Sequence, residues 1–324
     1  MSALNPGSQS SSLGTVCPRE NALDLIGNTR LLALERVYQG PGRIFAKAEF
    51  LQPGGSVKDR AARAIVQDAL QRGDLHPGQS VVSMTSGNFG AGLAVVCNVL
   101  GHPLVATMSA GNSPQRARMI QDLRAELIRV PQIDGTLGLV TGADIAAAEA
   151  AAVRIAVERN GFHVDQFRDI NSVRVHEEGT GPELWRQLDG VIEGFTACVG
   201  SGGTFVGTAR FLKRQRPAVV CAAVEPKGTE VLAGNPVRKA RHILQGTGYG
   251  AIPHCWDPKL MDLSLAVTDQ EASDWRNRLA RDEGLYVGYS SAANVCAAVK
   301  LLQSGRLRLD ATVVTILCDT GLKY

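Results

Sequence analysis

The sequence predicts an α/β protein of two domains, each with a mostly parallel sheet flanked by helices. Three observations carry this reading. From residue 43 onward, apolar runs of strand length alternate with longer stretches of helical period. Glycine-rich loops recur between a strand and the helix that follows it. The chain has 324 residues, more than one small core accommodates.

In chain order, residues 1–18 are rich in Ser, Gly and Asn and read as a loose, disordered tail. Leu25-Ile26-Gly27-Asn28-Thr29 is a turn before an apolar run. Strands are predicted at 43–48, 80–84, 104–108, 126–130, 195–199, 218–224 and 312–317. Helices are predicted at 57–72, 89–100, 114–123, 141–159, 176–188, 204–214, 270–282 and 291–303. Gly73 ends the first helix, and Ser113-Pro114 is an N-cap followed by proline at the first helical position. No internal repeat appears, and the composition shifts near Asn160-Gly161.

Composition excludes several classes. At 44% hydrophobic and 20% charged residues, the chain is globular and not disordered. A net charge of +3 with 5% aromatics is too mild for nucleic-acid binding. No apolar run reaches membrane-spanning length, and the start has neither the basic nor the apolar region of a secretory signal. The seven cysteines are scattered without a C-x-x-C pair, so no metal site is predicted. Several read as small core residues in a reducing cytoplasm.

The stretch Ala46–Arg63 organises the rest. A strand is followed by the loop Gln52-Pro53-Gly54-Gly55, and Ser56-Val57-Lys58-Asp59 opens a helix. Ser56 reads as its N-cap, with Asp59 completing a capping box. Lys58 then sits at a positive helix end, which lowers an ammonium pKa and suits Schiff-base chemistry. By itself such a lysine is more often a solvated surface group. Three more loops sharpen the choice. Thr85-Ser86-Gly87-Asn88-Phe89-Gly90 offers hydroxyls and amides to a carboxylate. Gly200-Ser201-Gly202-Gly203-Thr204 lets backbone approach a phosphate closely. Gly288-Tyr289-Ser290-Ser291-Ala292 opens the last long helix. The Gly200–Thr204 loop with Glu225 about twenty residues on also suggests a dinucleotide site, but Phe205 stands where the third glycine of that motif belongs.

With these stretches in hand, the chain resembles the cysteine synthase and cystathionine β-synthase group of pyridoxal-phosphate enzymes, of fold type II. Leu25–Leu31, Ser56–Arg60, Thr85–Gly90, Gln166-Phe167, Thr180-Gly181-Pro182-Glu183, Gly200–Thr204 and Val224-Glu225-Pro226 match its motifs in order. The match runs from about Leu23 to Tyr324. The resemblance implies a larger cofactor-binding domain (19–55 and 165–324), a smaller mobile domain (56–164), and an active site between them. It implies that Lys58 carries pyridoxal 5'-phosphate as a Schiff base. Asn88 would contact the ring hydroxyl. Gly200, Ser201, Gly202, Gly203 and Thr204 would cradle the phosphate, and Ser290 would face the pyridine nitrogen. Thr85, Ser86, Phe89 and Gln166 would form the substrate site. Glu225 belongs to a matched motif and needs no dinucleotide.

The implied activity is β-replacement on an activated L-serine, of the O-acetylserine or O-phosphoserine type, through an aminoacrylate. Its partners would be an amino acid and a small nucleophile, and its assembly a homodimer. An amine or homocysteine as nucleophile, serine or threonine dehydratase-type elimination, and a non-catalytic binding protein are the alternatives. Gln166-Phe167 and Thr180–Glu183 favour replacement. No haem module is implied, because no histidine precedes His76, and no regulatory domain is expected after Tyr324. Three positions depart from the family. Phe89 stands for a threonine and removes a hydroxyl, Ala292 stands for a glycine, and Arg124 stands for a glycine at a helix end. A left-handed conformation at Arg124 costs about 1 kcal/mol.

Overall fold

The computed structural model describes residues 20–138, 140–239 and 241–324; the tail predicted at 1–18 lies outside them. Two sheets organise the chain. The first runs from β1 (Leu31–Ala33) through β2 (Arg43–Ala48), β10 (Thr312–Leu317), β7 (Gly194–Cys198) and β8 (Val220–Pro226) to β9 (Leu263–Val267), in that spatial order. Only the β1–β2 pair is antiparallel. The second sheet is wholly parallel, in the order β5 (Glu126–Val130), β4 (Leu104–Ser109), β3 (Val81–Met84), β6 (Phe162–Val164).

The helices are α1 (Lys58–Arg72), α2 (Asn88–Leu100), α3 (Pro114–Asp122), α4 (Gly142–Glu158), α5 (Asn171–Val175), α6 (Gly181–Gln187), α7 (Gly203–Gln215), α8 (Asp269–Glu283) and α9 (Tyr289–Gln303). The helix predicted at 176–188 is the later part of a longer run. A π-helical stretch at His176–Thr180 joins α5 to α6. Both α2 and α9 bury most of their residues, as largely apolar helices must. Gly73 caps α1 at φ 78°, and Ser113 accepts the Arg116 amide. Arg124 takes the left-handed conformation at φ 63°. No helix among the described residues is long and apolar enough to cross a membrane.

We keep the two-domain division as a proposal built on these sheets. Packing qualifies its boundary, because Leu23 and Ile26 join the apolar cluster formed with α1, α2 and β4. The Ser56 capping box is not formed. Val57 is the cap of α1 without a side-chain bond; the Ser56 hydroxyl accepts from the Lys58 amide at 3.3 Å and donates to the Asp59 carboxylate at 3.5 Å, and that carboxylate also accepts from the Gly54 amide. That turn folds the Gln52–Gly55 loop under the helix start.

The other anchor is a buried ion network. Arg60 donates from Nε and Nη2 to Glu49 at 2.7 and 2.8 Å, and from Nη1 and Nη2 to Glu183 at 2.8 and 2.7 Å. Lys47 Nζ lies 2.8 Å from Glu183 and donates to the Thr29 carbonyl. Two cations and two carboxylates balance, and the bonds tie β2, α1, α6 and the Asn28–Thr29 turn together. Two of the sequence motifs, Leu25–Leu31 and Thr180–Glu183, meet here.

Candidate active site

The loops after β2, β3, β7 and β10 all leave the C-terminal ends of parallel strands, where α/β proteins place ligands. They enclose a cavity of about 770 Å³ including its open mouth. Lys58, Ser86, Asn88, Phe89, Gln166, Gly200, Ser201, Gly202, Thr204 and Ser290 line it. Ten of the positions singled out in the sequence thus meet in one place. Thr85 and Gly203 stand behind the lining. The Thr85 hydroxyl accepts from the Gly87 and Gly90 amides at 3.0 and 2.8 Å, so it shapes the loop from within.

Lys58 is the first residue of α1, and its Nζ donates to Ser201 Oγ at 3.0 Å. No carboxylate pairs with it among the described residues. Burial lowers its pKa to about 8, with the Cys318 and Cys255 thiols opposing weakly. Desolvation, and not the helix end, is thus the principal cause. Lys47 in contrast is committed to Glu183.

Asn88 begins α2. Its Nδ2 donates to Asp319 Oδ2 at 2.8 Å, while Lys323 Nζ donates to its Oδ1 at 2.9 Å. The amide orientation is fixed from both sides. Gly87 adopts φ 140°, and a Cβ there would meet Arg116 Cδ at 2.6 Å, so only glycine fits. Phe89 lines the cavity, yet its side chain is 2% exposed and belongs to the apolar cluster of α2 and β4.

In the loop before α7, a Cβ on Gly200 would lie 2.1 Å from the Gly246 carbonyl oxygen, and one on Gly203 would lie 2.2 Å from that of Ser172. The backbone is packed as closely as glycine allows, which leaves the first amides of α7 facing the cavity without intrahelical acceptors. His176 lies behind, with Nε2 at 3.2 Å from Thr204 Oγ1 and Nδ1 at 2.9 Å from Thr180 Oγ1. Burial, aided by Arg60, lowers the His176 pKa to about 3. The folded form keeps the ring neutral while the unfolded chain takes up a proton below about 6.5. Stability therefore falls as pH drops from about 6.5 toward 3. Asp59 works the other way, because burial raises its pKa to about 7. A comparison with His176→Gln cancels the Asp59 contribution. Between pH 7 and pH 5, urea unfolding should show the wild type losing about 2 kcal/mol more than the variant. Equal losses would refute the assignment.

Ser290 is buried at the start of α9, with the Cys318 thiol beside it in the cavity wall. Burial pushes Cys318 up to about 12, so it is no thiolate nucleophile. Glu225 is spoken for, accepting from the Leu232 amide and Ser264 Oγ. Buried as well as bonded, its carboxylate is not presented to a ribose, which argues against the dinucleotide reading. Sequence reasoning missed Arg116, Tyr249, Asp319 and Lys323. Tyr249 lines this cavity and a neighbouring one together with Ser86, and stands edge-on to Phe167 at 5.8 Å. Its surroundings, Gly246 to Gly250, carry a glycine-rich signal that could have flagged it.

The family profile described as "Pyridoxal-phosphate dependent enzyme" matches residues 22–319. The chain belongs to this family. A cysteine synthase of Staphylococcus aureus is 35% identical over 309 residues, covering 95% of this chain and 96% of the relative. Among solved structures, an O-ureido-L-serine synthase is 30% identical with a TM-score of 0.86, covering 95% of this chain and 94% of that one. An O-acetylserine dependent cystathionine beta-synthase from Helicobacter pylori is 29% identical with a TM-score of 0.84, covering 95% and 97%. The family uses pyridoxal phosphate, and the cavity's chemistry fits it. It holds a desolvated primary amine without a carboxylate partner, a fixed amide, a hydroxyl at a helix start and a glycine cradle at another.

Proposed function

We propose that this family member catalyses β-replacement on an activated L-serine of the O-acetylserine or O-phosphoserine type, with sulfide or another small nucleophile. The observation that carries this is the Lys58 amine, lowered by burial, sharing one cavity with Asn88, the Gly200–Thr204 loop and Ser290. The named relatives, which include a cysteine synthase and an O-acetylserine dependent enzyme, support the reading. The resemblance extends it to a cytoplasmic homodimer, for which light scattering should give about twice 34.4 kDa.

Pyridoxal phosphate, when bound, supplies the electron sink that makes the substrate's α-proton removable. Lys58 would hold it through its amine, Asn88 would face its ring hydroxyl, and the Gly200–Thr204 loop would take its phosphate. Ser290 would present a neutral hydroxyl to the ring nitrogen, where a carboxylate would instead favour a protonated ring. The neutral hydroxyl suits elimination, because the departing group drains charge from the α-carbon. Ser86, Gln166 and the first amides of α2 hold the α-carboxylate. Lys58 Nζ, freed when the substrate's amine takes its place, takes the α-proton, the leaving group departs from the β-carbon with its electron pair, and a nucleophile adds there. Lys58 Nζ then returns the proton to the α-carbon. The Tyr249–Phe167 pair narrows the approach and favours a small nucleophile.

The test is a mass-spectrometric screen of O-acetyl-L-serine, O-phospho-L-serine, L-serine and L-threonine, each with and without sulfide, homocysteine or an amine. Replacement predicts a new amino acid from an activated serine. Keto acid and ammonia as the sole products would indicate dehydratase chemistry. Running the same screen on Phe89→Thr should shift kcat/KM toward O-acetylserine and sulfide, since a threonine hydroxyl adds a charge-assisted bond worth about 1.5–3 kcal/mol. An unchanged ranking would make Phe89 a packing residue only.

A further inference from the structure

Arg116 is the one guanidinium in the cavity wall, and nothing in the reading above uses it. It lies on the first turn of α3 and is 2% exposed. Nη1 donates to the Ser86 carbonyl at 3.2 Å. Nε and Nη2 are buried and have no hydrogen-bond partner. The guanidinium stands over the Tyr324 ring at 4.8 Å, and its side chain packs against Gly87. No carboxylate pairs with it among the described residues.

An arginine does not lose its proton in a protein. A buried, unneutralised charge is costly and calls for a counter-charge. The contrast with Arg60 is direct, because that buried guanidinium is met by two carboxylates. Around Arg116 the neighbours are a carbonyl and an aromatic face. Tyr249, Tyr324 and Lys323 all lie within its field, and none supplies a permanent anion; the Asp319 carboxylate stands behind Tyr324, accepting from its hydroxyl, and makes no ion pair with Arg116. The backbone it holds is Ser86-Gly87, the turn whose amides begin α2.

The geometry points to Arg116 as a positioning residue for the substrate's α-carboxylate. It fixes the Ser86 carbonyl away from the ligand, so that the following amides face the cavity. Its unbalanced charge lies one backbone layer behind the place where the carboxylate is received. The substrate itself is then the missing counter-ion. Amino acids with a free carboxylate are selected over neutral derivatives of the same shape. The inference rests on the amino-acid substrate class proposed above, but not on turnover.

The test uses holoenzyme with L-alanine and L-alaninamide, which have no leaving group at the β-carbon. Binding is read from the cofactor's visible absorption and from the shift in Tm. The wild type should favour the carboxylate by about ten-fold or more, the scale of a charge-assisted interaction. Arg116→Met should remove that preference, and Arg116→Lys, which keeps the charge, should restore much of it. A merely structural role would weaken both ligands alike and leave their ratio unchanged in Arg116→Met, which would overturn the inference. A wild type without preference for the carboxylate would overturn it too. An enzyme that binds L-alanine but fails the replacement screen would refute the proposed reaction and leave this test standing.

Discussion

Lys58→Ala is expected to abolish turnover and to end covalent retention of the cofactor. Loss of a positioned general base alone lowers rates by roughly 10²–10⁴-fold, and in the proposed mechanism the same nitrogen also holds the cofactor in place. Borohydride reduction of the wild type followed by peptide mapping should place the pyridoxyl group on Lys58. Two other lysines are buried near the site and give the test its alternatives. Lys47 is bound to Glu183 and sits outside the cavity wall. Lys323 has a pKa lowered to about 8 by burial, against the pull of Asp319 and Asp59, so its amine is also partly neutral near pH 8. It is held by the Gly54 carbonyl and Asn88. A label on Lys323 or Lys47, or an alanine variant within ten-fold of wild type, would overturn the assignment.

Arg60→Met should cost about 3–5 kcal/mol of stability, the effect of removing one partner from a buried ion set. Methionine preserves much of the volume, so packing loss stays secondary. Glu49 and Glu183 would be left with Lys47 as their single cation. Burial on its own raises the Glu183 pKa, and in the wild type the bonds and charge of Arg60, helped by Lys47, reverse that and hold it at about 2. Without Arg60 the carboxyl should protonate at higher pH, and the deficit relative to wild type should shrink as pH falls toward 4. Urea unfolding at several pH values measures both effects. A loss under about 1 kcal/mol, or a deficit independent of pH, would mean that this network does not hold α1 in place.

Much of the fold was legible because most strands are interior ones. β2, β3, β4, β7, β8 and β10 are dense apolar runs covered on both faces, and each was predicted to within two residues. The three missed strands, β1, β6 and β9, are all at sheet edges. An edge strand is half-buried and short, and gets its order from one neighbour, so its local pattern is weak. The candidate site was legible where its lining comes from contiguous motifs, as at Ser86-Gly87-Asn88 and Gly200–Thr204. It was not legible where one side chain enters from a helix with its own amphipathic pattern. Arg116 reads as an ordinary surface arginine of α3, beside the exposed Arg118. Only the packing of Gly87 against it shows that it faces inward. The cause of the Lys58 shift was likewise hidden, since its burial comes from tertiary packing against residues as distant in sequence as Ser201, 143 residues away.

The strand order has a consequence for how the chain is made. The four-stranded sheet draws all its strands from residues 81–164 and is complete in sequence soon after β6 emerges. β2 pairs with β1 at once, but its other neighbour is β10, which begins at Thr312. At ~5–20 residues per second, that flank of β2 waits on the order of ten to fifty seconds for its partner. Through that interval an apolar strand with an open edge is exposed to other nascent chains. Yield in a host should therefore depend on translation speed and chaperone supply even where the finished protein is stable.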